Sequence, residues 1–229
     1  MNTNEYLALC YVRGYEKRTR ALSLSSSLLD APVECLTDDE RAQILLLGKR
    51  HELKMHYFKD KETLPRVSFV LSFFRALQPE SLLDVGSGRG AFVIPFMREY
   101  ASVSVTVFDI LPHRVQLYRD ISAGGKENLC ASLTDITECT EGEGLYDVVT
   151  LLEVLEHIPH VELAVRNACR LARRYVVVTV PSHADDNPEH IHLLTKDRLT
   201  ALFTEAGCHK LKFGNVSGHL TLIATKGDR

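Results

Sequence analysis

A short apolar strand that runs directly into three closely spaced glycines is the feature that most constrains the fold of this chain. The segment reads Leu-Leu-Asp-Val-Gly-Ser-Gly-Arg-Gly over residues 82–90. Glycine is needed where backbone turns sharply against a ligand, because any Cβ would occupy the ligand's space. Nineteen residues after Gly90 the next apolar run ends in Asp109, a carboxylate suited to the two hydroxyls of a ribose. The pattern predicts a strand, loop and helix that bind a nucleotide.

Short aliphatic or β-branched runs alternate with helical segments from residue 81 onward, as is typical of a mostly parallel sheet. Five such runs predict parallel strands at 81–85, 103–108, 128–133, 146–152 and 175–180. Two further runs, 208–213 and 219–225, are separated by only five residues. A parallel return would need a dozen or more residues, so these two runs predict an antiparallel hairpin. The sequence therefore predicts an α/β fold.

The residues before the sheet have helical patterns. A loose one covers residues 1 to about 28, Thr37 and Glu40 form a capping box for a helix from Asp38 to His56, and Pro65 opens a helix through Ala76. We expect residues 1–75 to form an N-terminal helical cap that covers substrate. Residues 76–229 are expected to form the nucleotide-binding domain.

Composition limits the classes of partner and compartment. The 229 residues have a formal net charge of −3, which gives no global cationic field for long nucleic acid. The six cysteines are scattered without a CxxC pair, as expected of reduced thiols in the cytoplasm. The N-terminal residues mix charges into their apolar run, and no stretch approaches the roughly 20 apolar residues of a membrane span. We expect a cytoplasmic chain with a small-molecule substrate and no membrane partner, and leave its oligomeric state open.

The glycine loop alone leaves two nucleotide cofactors open. Residues 86–91 also satisfy the looser G-x-G-x-x-A pattern of dinucleotide-binding proteins, which would make the chain an NAD(P)-dependent oxidoreductase. The terminal hairpin bears on this choice, because dinucleotide dehydrogenases normally lack it.

Residues 65 to about 225 resemble the class I S-adenosylmethionine-dependent methyltransferases, with a methyltransferase domain of the type 11, 12 or 23 kind. The resemblance rests on residues 82–90, Asp109 and the terminal hairpin. It implies a doubly wound seven-stranded sheet in the order 3-2-1-4-5-7-6 with strand 7 antiparallel. It also implies that S-adenosylmethionine is the cofactor, with Asp135 as an alternative adenine contact to the pair Ser132 and Leu133. The implied cofactor-binding residues are Asp84, Gly86, Ser87, Gly88, Gly90, Asp109, Ile110, Ser132, Leu133, Leu152 and Glu153.

The stretch 146–159 resembles the fourth strand and following loop of these enzymes, and it ends in a cluster of polar residues. Methyl transfer is an in-line displacement, so alignment of donor and acceptor is the main task of the protein. A histidine is able to remove a proton from a hydroxyl acceptor. We therefore expect Glu156, His157 and His190 to be the catalytic residues, acting on an oxygen or nitrogen acceptor of a small molecule.

A metal-assisted alternative also follows from a resemblance. Glu153, Glu156, His157 and His190 resemble the metal-binding set of the small-RNA 3′-terminal 2′-O-methyltransferases, where a divalent cation would acidify a ribose hydroxyl of RNA. The spacing from His157 to His190 is short for that group, and E-x-L-E-H also occurs in enzymes resembling the quinone-biosynthesis O-methyltransferases, which use no metal. The expectation is therefore a metal-free enzyme. A non-catalytic module that binds S-adenosylmethionine is the remaining alternative.

Overall fold

The computed structural model describes residues 1–59, 62–184 and 186–227. Its centre is a seven-stranded sheet in the order β3-β2-β1-β4-β5-β7-β6. All neighbouring strands are parallel except that β7 runs antiparallel to both β5 and β6. The predicted α/β class, strand order and antiparallel strand 7 are confirmed. The strands are β1 (Ser81–Val85), β2 (Ser104–Asp109), β3 (Leu129–Leu133), β4 (Tyr146–Leu152), β5 (Ala172–Pro181), β6 (Lys210–Val216) and β7 (His219–Thr225).

Eight α-helices of the described residues surround this sheet, together with short 3-10 turns at Val33–Cys35, Met55–Phe58 and Leu155–His157. The α-helices are α1 (Thr3–Thr19), α2 (Ser26–Asp30), α3 (Asp38–Arg50), α4 (Pro65–Leu77), α5 (Val93–Glu99), α6 (Pro112–Ala123), α7 (Val161–Leu171) and α8 (Lys196–Glu205).

The sheet separates two hydrophobic cores, because successive side chains of a strand point to opposite faces. Leu82 of β1 belongs to the core that contains α1, α4, α5 and α6 residues. Its neighbour Leu83 belongs to the core that contains α7 and α8 residues. Both faces are covered, which explains why the strands read as near-continuous apolar runs. The fold is doubly wound, as predicted.

Helix α1 crosses α6 at a very close approach that two glycines make possible. A Cβ on Gly14 would lie 1.7 Å from the backbone oxygen of Asp120, and a Cβ on Gly124 would lie 1.7 Å from that of Cys10. Arg18 also donates two hydrogen bonds of 2.8 Å to the Asp120 carboxylate. The first helix is therefore fixed against α6, the helix that follows β2.

Two predicted helices are shorter in the structure. The helix predicted over Asp38–His56 ends at Arg50, because Glu52 has a left-handed φ of 57° and the Leu53 amide bonds the Gly48 carbonyl at 3.0 Å. These are the marks of a Schellman cap, here without the usual glycine. The pattern over residues 1–28 is interrupted in the same way, since α1 ends at Thr19 and Arg20 has a φ of 58°.

The predicted boundary between cap and main domain, at residues 75 and 76, falls inside α4. The division into two units stays a prediction, and residues 185, 228 and 229 of the second unit lie outside the described residues. In the part of the chain that the structure describes, no helix is long and apolar enough to cross a lipid bilayer.

Candidate active site

A cavity of about 800 Å³ opens at the carboxyl ends of β1, β2 and β4. Ligands of open α/β sheets bind at this edge, outside the carboxyl ends of the strands. The wall is built from the loops that follow these strands, β3 and β5, and from the starts of α4 and α6. The lining residues are Arg66, Val67, Asp84–Arg89, Ala91, Phe92, Phe108–Leu111, Arg114, Thr134–Glu138, Leu152–Val154, His157–His160 and Glu189.

The glycine loop has backbone conformations that residues with a Cβ rarely adopt. Gly86 and Gly88 have φ values of 68° and 56°, in the left-handed region. A Cβ on Gly86 would lie 2.7 Å from Val154, whereas a Cβ on Gly88 would meet no atom closer than 3.9 Å and would project into the cavity. Gly90 is not part of the cavity wall, because its Cβ position faces Ile94 at 2.6 Å. Gly86 and Gly88 thus line the cavity, and Gly90 permits close packing of the loop on α5.

Asp84 is a buried carboxyl group at the floor of the cavity. Ser87 and Thr150 each donate a hydrogen bond of 2.5 Å to it from their hydroxyl groups. Burial raises the pKa of Asp84 to about 7, the two hydrogen bonds oppose this rise, and the nearby charge of Asp109 adds to it. The floor therefore carries a group whose charge responds to a cation placed beside it.

Asp109 ends β2 with its carboxylate held in place by backbone donors. Its two oxygens accept hydrogen bonds from the amide of Gly88 at 3.1 Å and the amide of Leu111 at 2.9 Å. Arg114 lies 3.7 Å from the same carboxylate. Each oxygen keeps a further lone pair for a ligand hydroxyl. The next residue, Ile110, also lines the cavity and is 64% exposed, so it offers apolar surface to a ligand.

The structure separates the two options that were predicted for the wall beyond β3. Ser132 and Leu133 lie within β3 and do not line the cavity, and Ser132 shares a hydrogen bond of 2.7 Å with Thr134. Because the cavity lies beyond the ends of the strands, the residues that follow β3 form this wall instead. The alternative residue, Asp135, does line it. Its Oδ1 accepts hydrogen bonds from the amide and hydroxyl of Thr137 at 2.8 and 2.7 Å.

Leu152 and Glu153 line the cavity at the end of β4, as expected. Glu153 has a φ of 59°, and its carboxylate accepts a hydrogen bond of 2.7 Å from the Thr179 hydroxyl. The other carboxylate oxygen lies 3.0 Å from Nε2 of His219, at the start of β7. Glu153 thus belongs to a network with β5 and β7, and it is not grouped with the other three members of the alternative metal set.

Glu156, His157 and His190 do come together. Their ligand-type atoms lie within 4.8 Å of one another, and the two imidazole rings are 4.8 Å apart at 62°. Glu156 is fully buried, and its backbone oxygen accepts the amide of Ile191 at 2.9 Å. Nδ1 of His157 lies 2.9 Å from the Glu189 carbonyl, which fixes it as the donor. In neutral His157, Nε2 is then the atom that accepts a proton. Of the three residues, His157 lines the cavity.

Residues 55–212, which are more than half of the chain, match a family model described as "Methyltransferase domain". This chain belongs to the class I S-adenosylmethionine-dependent methyltransferases. That membership and the antiparallel β7 together favour S-adenosylmethionine over a dinucleotide.

The similarity of this methyltransferase to curated relatives is partial. A ubiquinone biosynthesis O-methyltransferase of Vibrio parahaemolyticus serotype O3:K6 (strain RIMD 2210633) is 30% identical over 108 residues, which are 47% of this chain and 46% of the relative. The chain thus matches about half the length of such curated relatives.

Solved structures share the fold of this methyltransferase at low identity. An O-methyltransferase family protein from Burkholderia thailandensis has a TM-score of 0.61 at 14% identity, over 92% of this chain and 67% of the other. The [4+2]-cyclase SpnF has a TM-score of 0.61 at 15% identity, over 70% of this chain and 80% of the other. Magnesium protoporphyrin IX methyltransferase from Synechocystis was solved with bound S-adenosylhomocysteine (SAH). It has a TM-score of 0.55 at 15% identity, over 75% of this chain and 91% of the other. One neighbour is a cyclase, so the fold does not specify the reaction.

Several wall residues of this methyltransferase domain were missed from the sequence. Arg66 and Val67 are the only residues of the described part of the N-terminal 75 that line the cavity, and Pro65 at the start of α4 was the one local signal for them. Residues 136–138 and Glu189 also line it. The contact of Glu153 with His219 joins residues far apart in sequence, so no local pattern pointed to it.

Proposed function

We propose that this chain transfers a methyl group from S-adenosylmethionine to an oxygen or nitrogen atom of a small-molecule acceptor by in-line displacement. The observation that carries the proposal is the open space above Gly88, where any side chain would enter the cavity beside the Asp109 carboxylate. When bound, S-adenosylmethionine supplies an electrophilic methyl group on a sulfonium. The cavity of about 800 Å³ is within the range of sites that enclose small molecules.

Each end of the cavity has residues suited to one part of the donor. Asp109 would accept the ribose hydroxyls, and Ile110 would cover an apolar face of the nucleoside. Asp135 and its neighbours beyond β3 would contact the adenine, in place of Ser132 and Leu133. Asp84 and Ser87 lie on the floor, where the Asp84 carboxylate would stabilise the ammonium of the methionine part.

On the acceptor side, His157 is the residue that we propose as the proton acceptor. Its Nδ1 is committed to the Glu189 carbonyl, so Nε2 of the neutral ring is available to take a hydroxyl or ammonium proton as the new bond forms. Glu156 and His190 lie against His157 and would fix its position. These two are therefore proposed as positioning residues, whereas the sequence suggested that all three act on substrate.

Calorimetric titration of the metal-stripped protein with SAH tests the donor half. We expect binding to the wild type, and binding at least tenfold weaker to Asp109→Asn, since the amide removes a charged acceptor of the ribose hydroxyls. Asp39→Asn, an exposed position on α3, is the matched control and should bind as the wild type does. Equal affinity of Asp109→Asn and the wild type would contradict the ribose role.

Transfer itself is tested with methyl-labelled S-adenosylmethionine and a fractionated cell extract. A labelled small molecule, lost in His157→Gln while SAH affinity is retained, is the expected result. A protein that binds SAH and labels no fraction would be a non-catalytic binding module instead.

A second candidate is a metal-assisted methyltransferase that acts on a ribose 2′-hydroxyl of RNA, and the grouping of Glu156, His157 and His190 favours it. One carboxylate and two imidazoles are a donor set that suits a divalent transition metal. Manganese titrated into metal-stripped protein would then bind with a separate heat that Glu156→Gln removes and His160→Gln retains. SAH affinity that is independent of manganese, with no separate binding event, would support the metal-free proposal.

A further inference from the structure

Cys169 and Cys208 bring two buried sulfurs together in the core between the sheet and α7 and α8. The Sγ atoms are 3.4 Å apart, although the residues are 39 positions apart in sequence. Cys169 lies in the last turn of α7, and Cys208 follows the left-handed Gly207 at the end of α8. Each residue is 1% exposed. Over the described ranges, no other two cysteine sulfurs share a hydrogen bond, so the pairing is specific to these positions.

We propose that Cys169 and Cys208 form a redox modification site, at which hydrogen peroxide converts the two thiols reversibly into an intramolecular disulfide. A disulfide bond is about 2.0 Å long, so the sulfurs must approach by only about 1.4 Å. Because the sulfurs are already in contact, the bond needs little rearrangement of α7 or α8.

The environment favours Cys208 as the sulfur that reacts first. The hydrogen bond with Cys169 lowers the pKa of the Cys208 thiol, burial opposes this, and the Lys226 ammonium lowers it further. The same hydrogen bond and burial raise the pKa of Cys169. The thiolate is the reactive form of cysteine, so the proton is removed from Cys208 before Cys169.

The chemistry balances in two steps. The Cys208 thiolate attacks one oxygen of hydrogen peroxide, the O–O bond breaks, and a sulfenic acid and hydroxide form. The Cys169 sulfur then attacks the Cys208 sulfur, the S–O bond breaks, and hydroxide leaves as water with the Cys169 proton. Two thiols are oxidised and one peroxide is reduced to two waters.

A water-sized oxidant needs only local opening to reach Cys208. Its neighbours Gly207 and His209 are both exposed, and a Cβ built on Gly207 meets nothing within 4 Å. Cys208 itself follows the end of α8, and helix ends are where local opening is easiest. The bond would close a loop over residues 169–208, which contains β5 and the segment with His190.

The test uses reduced protein carrying Cys35→Ser and Cys130→Ser, which remove the two exposed thiols. After peroxide treatment under native conditions, free thiols are alkylated in denaturant and peptides are mapped by mass spectrometry. We expect the peptides of Cys169 and Cys208 to be linked and two hydrogens lighter, and dithiothreitol to reverse the link. The melting temperature should rise by several degrees on oxidation, because the cross-link restricts the unfolded chain.

Cys169→Ala should abolish both the link and the rise in melting temperature, whereas Cys139→Ala, at a buried cysteine of the same core, should retain both. Full alkylation of Cys169 and Cys208 after peroxide treatment of folded protein would overturn the proposal, and so would sulfinic acid without a link. The test requires neither cofactor nor acceptor, so its result is independent of the proposed methyl transfer.

Discussion

At the scale of single residues, the cavity wall at the glycine loop depends on backbone conformation as much as on side-chain chemistry. Gly88 combines a left-handed φ with a Cβ position that faces open space, and its amide is fixed by Asp109. A substitution here has two separable effects, one on the strain of the backbone and one on the volume of the site. Alanine substitutions at Gly88 and at Gly144 separate the effect on backbone strain from the effect on the volume of the site.

Gly88→Ala should lower SAH affinity tenfold or more, since the methyl group occupies ligand space and a tenfold loss is about 1.4 kcal/mol. It should also lower the free energy of unfolding by about 1 kcal/mol, the cost of a left-handed alanine. Gly144→Ala is the control, because Gly144 has a φ of 65° with nothing within 4 Å and is not a cavity residue. The control should lose similar stability and no affinity. Calorimetry and urea unfolding give the two readouts, and equal affinities would contradict the placement.

The buried Asp84 makes the stability of the ligand-free protein depend on pH. Its pKa is raised to about 7 in the folded state and is near 3.9 in the unfolded state, so the folded protein binds the proton more tightly. The resulting stabilisation is present at low pH and is lost as the pH rises toward 7. We expect the wild type, relative to Asp84→Asn, to lose about 3 kcal/mol of unfolding free energy between pH 5 and pH 8. Urea unfolding at the two pH values measures this, and a difference that does not change with pH would refute it.

At the scale of elements, α1 crosses α6 at a close approach that two glycines permit. Gly14→Ala places a methyl carbon against the backbone oxygen of Asp120, which cannot move without shifting α6. We expect a loss of about 3 kcal/mol in the free energy of unfolding, at the upper end of overpacking effects. Gly142→Ala, where the nearest atom to the new methyl is 3.7 Å away, should be nearly neutral. A denaturation midpoint that is unchanged in Gly14→Ala, as in the control, would show that α1 and α6 are not in this contact.

Elements with strong local signals were predicted well from the sequence. The strands β1, β4 and β7 match their apolar runs residue by residue, and Thr37 and Glu40 form the predicted capping box of α3. Local patterns failed at the end of α3, where the residue type did not indicate the backbone conformation. Glu52 ends α3 in a conformation that favours glycine, so its identity gave no warning.

The candidate site was also predicted in part from the sequence. The sequence predicted that Asp84, the glycine loop and Asp109 share one site, and all three line the same cavity. The ribose role of Asp109 stays a proposal. For the wall beyond β3 the sequence left two options open, since it does not show how far past its strand the cavity lies. Ser132 and Leu133 do not line the cavity, whereas the alternative Asp135 does. The contact between Glu153 and His219 and that between Cys169 and Cys208 needed the folded chain, because each joins distant segments.

At the scale of the whole molecule, the N-terminal helices and the sheet share one hydrophobic core. Leu9 of α1, Phe74 of α4 and Leu82 of β1 belong to the same cluster of buried residues. We therefore expect a single unfolding transition, with coincident midpoints by far-ultraviolet circular dichroism and by tyrosine fluorescence. Two separate transitions would instead support an N-terminal cap that is stable apart from the remainder.

The position of β7 also sets an order for folding during synthesis. This strand follows β6 in the sequence, yet it lies between β5 and β6 in the sheet. While a ribosome is still adding residues 219–225, β5 has no partner on its outer side, and its valines 176–178 and 180 form an unpaired apolar edge. Unpaired edges of this kind recruit other strands. The nascent chain thus passes through an interval of aggregation risk that ends only when its seventh strand inserts.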